Sequence, residues 1–317
     1  MDFAMPRRLL FRAFLFAFLL LNVGHASAQG QPQCTTTSDF KGTTEPMELR
    51  VLKSLRGAVR LGGNTPCSGA LVTFAGRSAS SPALVLSAGH CSDRGKAEVP
   101  VGEKVLIMPD HAEVLYRAGT QRPLTLETGN SEDPRTCMEA DEIVYGTMTG
   151  GDILLLRVSE SYEQIAKRTG VTPFVVSQDT AFAPDLALRI PSAYWQNDRA
   201  CWVEATVDKV KEARWLWGPV LRIRVAETCG TPHGASGAPA IRMDTGEVIG
   251  AFGTSSDANA AACALNNPCE VAADGSVKAA AKEQGYVHFV HHFYTCLDKD
   301  RNVDLAVPGC LLPKPQR

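Results

Sequence analysis

Short apolar segments, separated by clusters of Gly, Pro, Asn, Asp and Ser, follow one another along the chain from Gly57 to Tyr294. The segments are rich in Val, Ile and Leu and are bounded by turn residues, which is typical of strands rather than of helices. Residues 159–170 form the one interruption with helical or linker character. The pattern predicts an all-β chain in two halves, either a barrel or a sandwich. The predicted strands are 58–61, 70–74, 83–86, 105–108, 114–116, 143–145, 153–158, 174–176, 186–190, 201–210, 220–225, 240–243, 248–252 and 286–294.

The first 28 residues have the features of a secretory signal. Arg7, Arg8 and Arg12 precede an apolar run at 13–23, and the small residues of the motif ASA follow at 26–28. The apolar run is shorter than the roughly 20 residues that a membrane-spanning helix needs. Cleavage after residue 28 is therefore expected in preference to a retained anchor, and the mature protein is expected to be secreted or periplasmic.

The polar segment 29–56 is predicted to be a short propeptide or an N-terminal arm.

The chain has a formal net charge of −2 at pH 7, and removal of the signal makes it more acidic. A mildly acidic protein has no electrostatic basis for binding nucleic acid or an anionic membrane. We therefore expect neither nucleic acid nor, after signal removal, a membrane as a partner.

All ten cysteines lie downstream of the signal, and an even number in a secreted chain predicts up to five disulfides. Cys201 and Cys229 flank a predicted hairpin whose turn lies near 215–219, so a disulfide that closes this hairpin is expected. The chain contains no Cys-x2-Cys pair. Three histidines cluster near the end of the chain, but they fall in the predicted strand 286–294, and no metal site is predicted there; they are His288, His291 and His292.

Ser236 lies in the hexapeptide GASGAP at 234–239. A serine flanked by glycines on a tight turn exposes its hydroxyl, and neighbouring N–H groups are free to converge on an oxyanion. The same hexapeptide also fits an ordinary surface loop. A nucleophilic serine needs a histidine base and a carboxylate that orients this base.

His90 is the predicted base, in the pentapeptide SAGHC that follows the predicted strand 83–86. Cys91 is placed to pin this loop to Cys67, although a purely structural histidine beside a structural disulfide is the alternative. Asp152 opens an apolar strand, where a buried carboxylate is costly unless a donor such as a histidine N–H meets it. Two other acids, Asp141 and Glu142, compete for this role but are better explained as turn residues.

Four motifs carry a resemblance to a known family: CSGALV at 67–72, SAGHC at 87–91, DILL at 152–155 and GASGAP at 234–239. In this order they resemble the chymotrypsin-like (trypsin-fold) serine endopeptidases, and the resemblance covers 57–294. The order His, Asp, Ser differs from that of the α/β-hydrolases. Ala235 precedes the serine, and no Ile-Val-Gly-Gly segment occurs, so the chain looks more like the secreted bacterial branch that includes lysyl and glutamyl endopeptidases.

The resemblance implies two antiparallel six-stranded β-barrels of the chymotrypsin type with the active site in the cleft between them. The first barrel would cover 57–158, a linker 159–172, the second barrel 173–295 and a C-terminal tail 296–317. It also implies specific disulfides. These are Cys67–Cys91 beside the histidine, Cys34–Cys137 at the N-terminal arm, and the local pairs Cys263–Cys269 and Cys296–Cys310.

By the same resemblance, His90, Asp152 and Ser236 would act as a catalytic triad on a protein or peptide substrate, in a monomer without metal or cofactor. The N–H groups of Gly234 and Ser236 would form the oxyanion hole. The residues implied for the substrate pocket are Gly230, Thr231, His233, Phe252, Gly253 and Ser255.

The primary specificity stays open among basic, acidic and small apolar residues. By the resemblance, position 230 is the base of the primary pocket, and it holds a glycine rather than an acid. Thr231 and His233 could bind a carboxylate, whereas Glu270 or Asp274 could reach the pocket and favour Lys or Arg. Two non-enzymatic alternatives are a catalytically silent binding protein with this fold and a disulfide-rich binding module with accidental motifs.

Overall fold

The computed structural model describes residues 55–61, 67–91, 105–108, 112–115, 124–128 and 136–314. The predicted signal 1–28 and Cys34 lie outside these residues, so the expected cleavage site and the Cys34–Cys137 pair stay predictions. The domain boundaries also stay predictions. No helix among the described residues is long and apolar enough to cross a membrane.

The first half of the chain forms a closed antiparallel barrel of six strands. The ring runs β1–β2–β3–β8–β7–β6 and returns to β1, because each neighbouring pair is joined by an antiparallel ladder. The hairpin β4–β5 extends this sheet from β7. The strands are β1 (Ala58–Leu61), β2 (Cys67–Thr73), β3 (Pro82–Ser87), β4 (Val105–Met108), β5 (Ala112–Leu115), β6 (Leu124–Thr128), β7 (Thr136–Thr147) and β8 (Ile153–Ser161).

The apolar run at the start of β8 explains how this barrel meets the rest of the molecule. Leu154 and Leu156 belong to the interior cluster of the first barrel, whereas Ile153 and Leu155 belong to a second cluster on the other face of the strand. Successive side chains of a strand point to opposite faces. The run lacks alternating polar residues because both faces are buried.

The helix α1 (Tyr162–Thr169) follows β8 directly and lies within the predicted linker. Ser161 and Gln164 form a reciprocal capping box at its start, and Gly170 ends it in the left-handed conformation with φ 68°. The next strand, β9 (Phe174–Val175), pairs in parallel with β2 and leads the chain back across the first barrel.

The second half forms another closed six-stranded barrel, in the order β10–β11–β14–β19–β16–β15. Four further strands form a separate sheet, in the order β13–β12–β17–β18. The barrel strands are β10 (Ala187–Ser192), β11 (Asn197–Val207), β14 (Val220–Ile223), β15 (Pro239–Arg242), β16 (Val248–Ser255) and β19 (Gly285–Phe289), and the others are β12 (Val210–Glu212), β13 (Trp215–Trp217), β17 (Cys269–Val271) and β18 (Val277–Ala279). The predicted two-barrel, all-β fold is confirmed.

Two local predictions in the second half were wrong. The segment predicted as a turn near 215–219 contains the strand β13, which pairs with β12 to form an extra hairpin between β11 and β14. The predicted strand 286–294 ends at Phe289, and a 3-10 helix (His291–Cys296) follows it. His291 and His292 are therefore separated from the strand that carries His288.

Four disulfides join cysteines of the described residues: Cys67–Cys91, Cys201–Cys229, Cys263–Cys269 and Cys296–Cys310. The Cys201–Cys229 bond connects β11 to the short 3-10 turn Glu227–Cys229. It therefore spans both the predicted hairpin and the extra hairpin that the sequence did not indicate.

One apolar cluster is shared between the two barrels, and we call it the shared core. It includes Leu84 and Leu86 of the first barrel and Val248 and Ala251 of the second. Phe293, on the last 3-10 helix, packs edge-on against Tyr145 with ring centroids 5.6 Å apart. Leu312, in the C-terminal tail, is also buried in this cluster.

Candidate active site

His90 is held at the end of a buried strand. It lies on the single 3-10 turn Gly89–Cys91 directly after β3, and the disulfide of Cys91 ties this turn to Cys67 at the start of β2. A Cβ atom on Gly89 would lie 2.2 Å from the carbonyl oxygen of Thr147, so the close approach of this turn to β7 requires glycine. The imidazole remains one-quarter exposed, whereas the turn beneath it is buried.

Asp152 is fully buried and holds His90 with both carboxylate oxygens. Its Oδ2 lies 2.6 Å from Nδ1 of the imidazole, and its Oδ1 accepts the backbone N–H of His90 at 2.9 Å. Burial raises the pKa of Asp152, but the charge and the hydrogen bonds of His90 outweigh burial and lower the pKa overall. The carboxylate is therefore ionised at neutral pH and oriented by two separate bonds.

His288 supports Asp152 from the opposite side, a role that was not predicted. Its Nδ1 accepts the backbone N–H of Asp152 at 3.2 Å, and its ring packs edge-on against Trp217 with centroids 5.1 Å apart. A Cβ atom on Gly253 would lie 2.3 Å from Nε2 of this ring, so the neighbouring strand needs glycine there. Burial lowers the pKa of His288 to about 4, and the imidazole is neutral at physiological pH.

The two acids that competed with Asp152 lie elsewhere. Asp141 accepts a hydrogen bond from Nε of Arg157 at 2.9 Å, and Glu142 forms an ion pair with the same guanidinium. Both therefore belong to a half-exposed charge cluster on β7 and β8. Their role is structural, and of the three acids it is Asp152 that contacts His90.

The loop that carries Ser236 is fastened to the first barrel by Ser68, the residue after Cys67. The N–H of Ser68 donates to the carbonyl of Ser236 at 2.8 Å, and its hydroxyl donates to the carbonyl of Gly234 at 2.9 Å. Ser68 is fully buried. The sequence signal for this role is a serine that follows Cys67 and precedes an apolar run. The sequence does not indicate which residues this serine contacts.

Two glycines give the loop its shape. Gly234 and Gly237 have φ values of 101° and 81°, which side chains other than glycine rarely adopt. A Cβ atom on Gly237 would also lie 2.1 Å from Oγ of Ser87 and 2.2 Å from the carbonyl oxygen of Ser68. The loop therefore needs glycine there, both for its backbone conformation and for its contact with the first barrel.

The N–H groups predicted for the oxyanion hole are available. Within the described part of the chain, neither the N–H of Gly234 nor that of Ser236 donates a hydrogen bond. The indole N–H of Trp195 donates to the carbonyl of His233 at 2.8 Å. This carbonyl belongs to the peptide unit that carries the N–H of Gly234, and planarity of the unit fixes the direction of both groups. Tyr194 packs against Gly234 from the same side.

A cavity of about 290 Å³ opens at the centre of this arrangement. Ser236, His90 and Asp152 line it together, which brings the three predicted catalytic residues to one place. Four of the residues predicted for substrate binding also line it, namely His233, Phe252, Gly253 and Ser255. His233 is exposed, and its Nε2 lies 3.0 Å from Oδ2 of Asp257.

Two of the predicted pocket residues, Gly230 and Thr231, are absent from the cavity lining. Thr231 is buried, and its carbonyl accepts the hydroxyl of Ser255 at 2.9 Å. A Cβ atom on Gly230 would meet Glu283 and Arg199 at 3.7 and 3.8 Å. These charged groups therefore cover position 230, where a pocket base was expected.

Neither acid proposed to reach the pocket does so. Glu270 accepts hydrogen bonds from Arg222 at 2.8 Å and from the hydroxyl of Tyr286 at 3.1 Å, and Asp274 accepts the N–H of Ser276 in an exposed turn. A different carboxylate, Glu212, lines the cavity instead. It lies on the hairpin β12–β13, which was not predicted.

No protein-family model matches the chain, and no match was found among curated protein sequences. Solved structures that resemble it include the Rv3671c protease from M. tuberculosis in its active form, with 13% identity, a TM-score of 0.44, and coverage of 81% of this chain and 87% of that chain. Neuropsin, a serine protease of mouse brain, has 13% identity and a TM-score of 0.42, covering 75% and 91%. The MamO protease domain from Magnetospirillum magneticum has 12% identity and a TM-score of 0.40, covering 74% and 91%. The lysyl and glutamyl endopeptidase branch stays a prediction.

Proposed function

We propose that the chain is a serine endopeptidase that hydrolyses peptide bonds through Ser236, His90 and Asp152. The observation that carries this proposal is the double hydrogen bond between Asp152 and His90 at the edge of the cavity that Ser236 also lines. A carboxylate that is fully buried and ionised, and that contacts both the imidazole Nδ1 and the backbone N–H of one histidine, matches the requirement for an oriented general base.

The proposed mechanism assigns each residue one task. Nδ1 of His90 donates to Asp152, and the lone pair of Nε2 accepts the proton of the Ser236 hydroxyl as its oxygen attacks the scissile carbonyl. The imidazolium that forms is stabilised by the carboxylate. It then returns the proton to the leaving amine as the acyl-enzyme forms, and a water molecule repeats the sequence to release the acid.

The N–H groups of Gly234 and Ser236 would stabilise the negative charge on the carbonyl oxygen. Loss of one such donor typically costs about 3 to 4 kcal/mol of transition-state stabilisation. The hydrogen bond from Trp195 to the carbonyl of His233 supports this assignment, because it orients the peptide unit that supplies one of the two donors.

We also propose export of the protein, with removal of residues 1–28 and a secreted or periplasmic location. The four disulfides support this proposal, since such bonds persist in oxidising compartments. The proposed domain organisation is a first barrel at 57–158, a linker at 159–172, a second barrel at 173–295 and a tail at 296–317. A monomer acting on protein or peptide substrates is part of the same proposal.

A fluorophosphonate reagent tests the proposed nucleophile, because it reacts with activated serines and spares ordinary ones. We expect labelling of the wild type, loss of labelling in Ser236→Ala, and unchanged labelling in Ser80→Ala, which removes an exposed serine that does not line the cavity. Mass spectrometry of the labelled peptide identifies the site. A folded wild-type protein without label would refute the proposal and favour the binding protein with a silent site.

A further inference from the structure

The wall of the catalytic cavity contains a carboxylate oxygen that has no partner in the described part of the chain. Glu212 ends β12 and is only 4% exposed. Its Oε1 accepts the N–H of Asn266 at 2.7 Å, whereas its Oε2 is buried and accepts no hydrogen bond. The same residue lines the cavity with His90 and Ser236.

Such an arrangement is costly unless a ligand completes it. A buried polar atom without a hydrogen-bond partner destabilises a fold, and a buried charged atom without a partner does so more strongly. Burial raises the pKa of Glu212, and the nearby Thr254 side chain and the N–H of Asn266 only partly oppose this effect. A donor with a positive charge would both pair with Oε2 and favour the ionised carboxylate.

No lysine or arginine lines the cavity within the described residues. The other acid in the lining, Asp152, is already paired with His90. The exposed His233 lies beside its own carboxylate, Asp257. The cavity therefore has one carboxylate available to a ligand cation.

The aromatic side chains around Glu212 suit a long cationic side chain. Glu212 and Trp215 are direct partners across the β12–β13 hairpin, and Trp217 follows two residues later, so all three point to one face. The two indole rings are nearly parallel, at 8°, with centroids 6.1 Å apart, and both residues line the cavity. Indole faces accept the methylene stem of a lysine or arginine and attract its charged end. The guanidinium of Arg214 lies in this way 5.3 Å from the ring centroid of Trp215.

We infer that Glu212 is the specificity-determining residue of this site and that it binds a lysine or arginine side chain of the substrate. This inference rests on the proposed peptidase function. An acidic substrate side chain would meet a carboxylate of the same sign, and a small apolar one would leave Oε2 unpaired. The sequence suggested that Glu270 or Asp274 selects a basic substrate side chain. We assign this role to Glu212, which lies on the β12–β13 hairpin.

The test begins with the wild type and a mixed peptide library, which identifies the substrate position that confers selectivity. Matched peptides then carry lysine or its neutral isostere norleucine at that position. We expect a kcat/KM ratio of about 10 to 100 in favour of lysine, the range typical of one hydrogen bond to a charged group. A wild-type enzyme that cleaves both peptides equally well would overturn the inference without any variant.

Glu212→Gln retains the size of the side chain and the acceptor for Asn266 but removes the charge. We expect it to lower the lysine-to-norleucine ratio to within about threefold, whereas the matched control Glu270→Gln leaves the ratio at the wild-type value. A ratio that persists in Glu212→Gln refutes the assignment. Fluorophosphonate labelling of each variant verifies its nucleophile. If the wild type neither takes the label nor cleaves any peptide, the proposed function itself fails, which is a different outcome from cleavage without selectivity.

Discussion

The buried histidine behind Asp152 makes stability depend on pH in a direction that can be worked out from the structure. Burial lowers the pKa of His288 to about 4, against an ordinary value of 6.5. The charge of Asp152 raises this pKa and that of His90 lowers it, and both effects are smaller than that of burial. Protonation of Nδ1 would also place a second donor against the N–H of Asp152.

Between pH 6.5 and pH 4 the unfolded chain binds a proton at His288 and the folded chain does not. The free energy of unfolding therefore falls as the pH falls through this window. One pKa unit corresponds to about 1.4 kcal/mol, so the full loss is about 3 kcal/mol. Above pH 6.5 the residue is neutral in both states, and its contribution to the pH dependence disappears.

The assay is urea unfolding at pH values from 7.5 to 4, with His288 intact and in His288→Asn. Asparagine does not titrate in this range and retains a side-chain acceptor for the N–H of Asp152. Ser236→Ala serves as the common background and prevents self-digestion. Carboxylates and the other histidines titrate in both proteins, so the difference between the two free energies isolates His288.

We expect the stability advantage of the protein that retains His288 to shrink by about 3 kcal/mol between pH 7 and pH 4. His292→Asn, in the same background, is the control variant. It makes the same substitution at a half-buried histidine, on the neighbouring 3-10 helix, that does not contact Asp152 among the described hydrogen bonds. A difference between the intact and His288→Asn proteins that stays constant across the pH range would refute the reasoning, because the folded and unfolded pKa values of His288 would then be equal.

Three further predictions concern the proposed triad and its surroundings. Asp152→Asn leaves the barrels folded but lowers kcat by about 10⁴-fold, since the amide favours the wrong tautomer of the imidazole, and steady-state kinetics measures this. Trp195→Phe removes the hydrogen bond to the carbonyl of His233. We expect about a fivefold loss of kcat with little change in KM, because one hydrogen bond contributes about 1 kcal/mol. An unchanged kcat would contradict the role given to the indole. Gly237→Ala places a methyl group 2.1 Å from Oγ of Ser87 at a φ of 81°, and thermal unfolding should reveal a loss of about 3 kcal/mol or more.

The residues that could be predicted from the sequence are those whose surroundings are local. The turn that carries His90 is defined by a strand before it and a cysteine after it, and the position of Asp152 is defined by the apolar strand that it opens. The turn around Ser236 is marked by its glycines. The structure brings His90 and Asp152 into hydrogen-bond contact and lines one cavity with all three residues.

The residues that could not be predicted depend on partners far along the chain. Trp215 and Trp217 are separated by one residue and followed by Gly-Pro, which indicates a turn, yet they form a strand because they pair with β12. Glu212 has no local mark of function. The role of His288 arises from a hydrogen bond to a residue 136 positions earlier.

The strand run 286–294 shows the same limit on a smaller scale. An apolar and aromatic stretch predicts a strand, and β19 does begin there, but the backbone turns into a 3-10 helix after Phe289. This turn directs Phe293 into the shared core, where it contacts Tyr145. The direction of the chain is decided there by the apolar surface of the first barrel, which no pattern within the segment reveals.

The shared core also links the position of Ser236 to the packing of the two barrels against each other during folding. Leu84 and Leu86 bury their side chains against Val248 and Ala251, which are translated much later, and Ser236 is fastened to Ser68 only when the two halves have met. In a nascent or half-folded chain, Ser236 thus lies apart from His90 and Asp152. Under the proposed function, hydrolytic activity would appear only after the two halves of the chain have met.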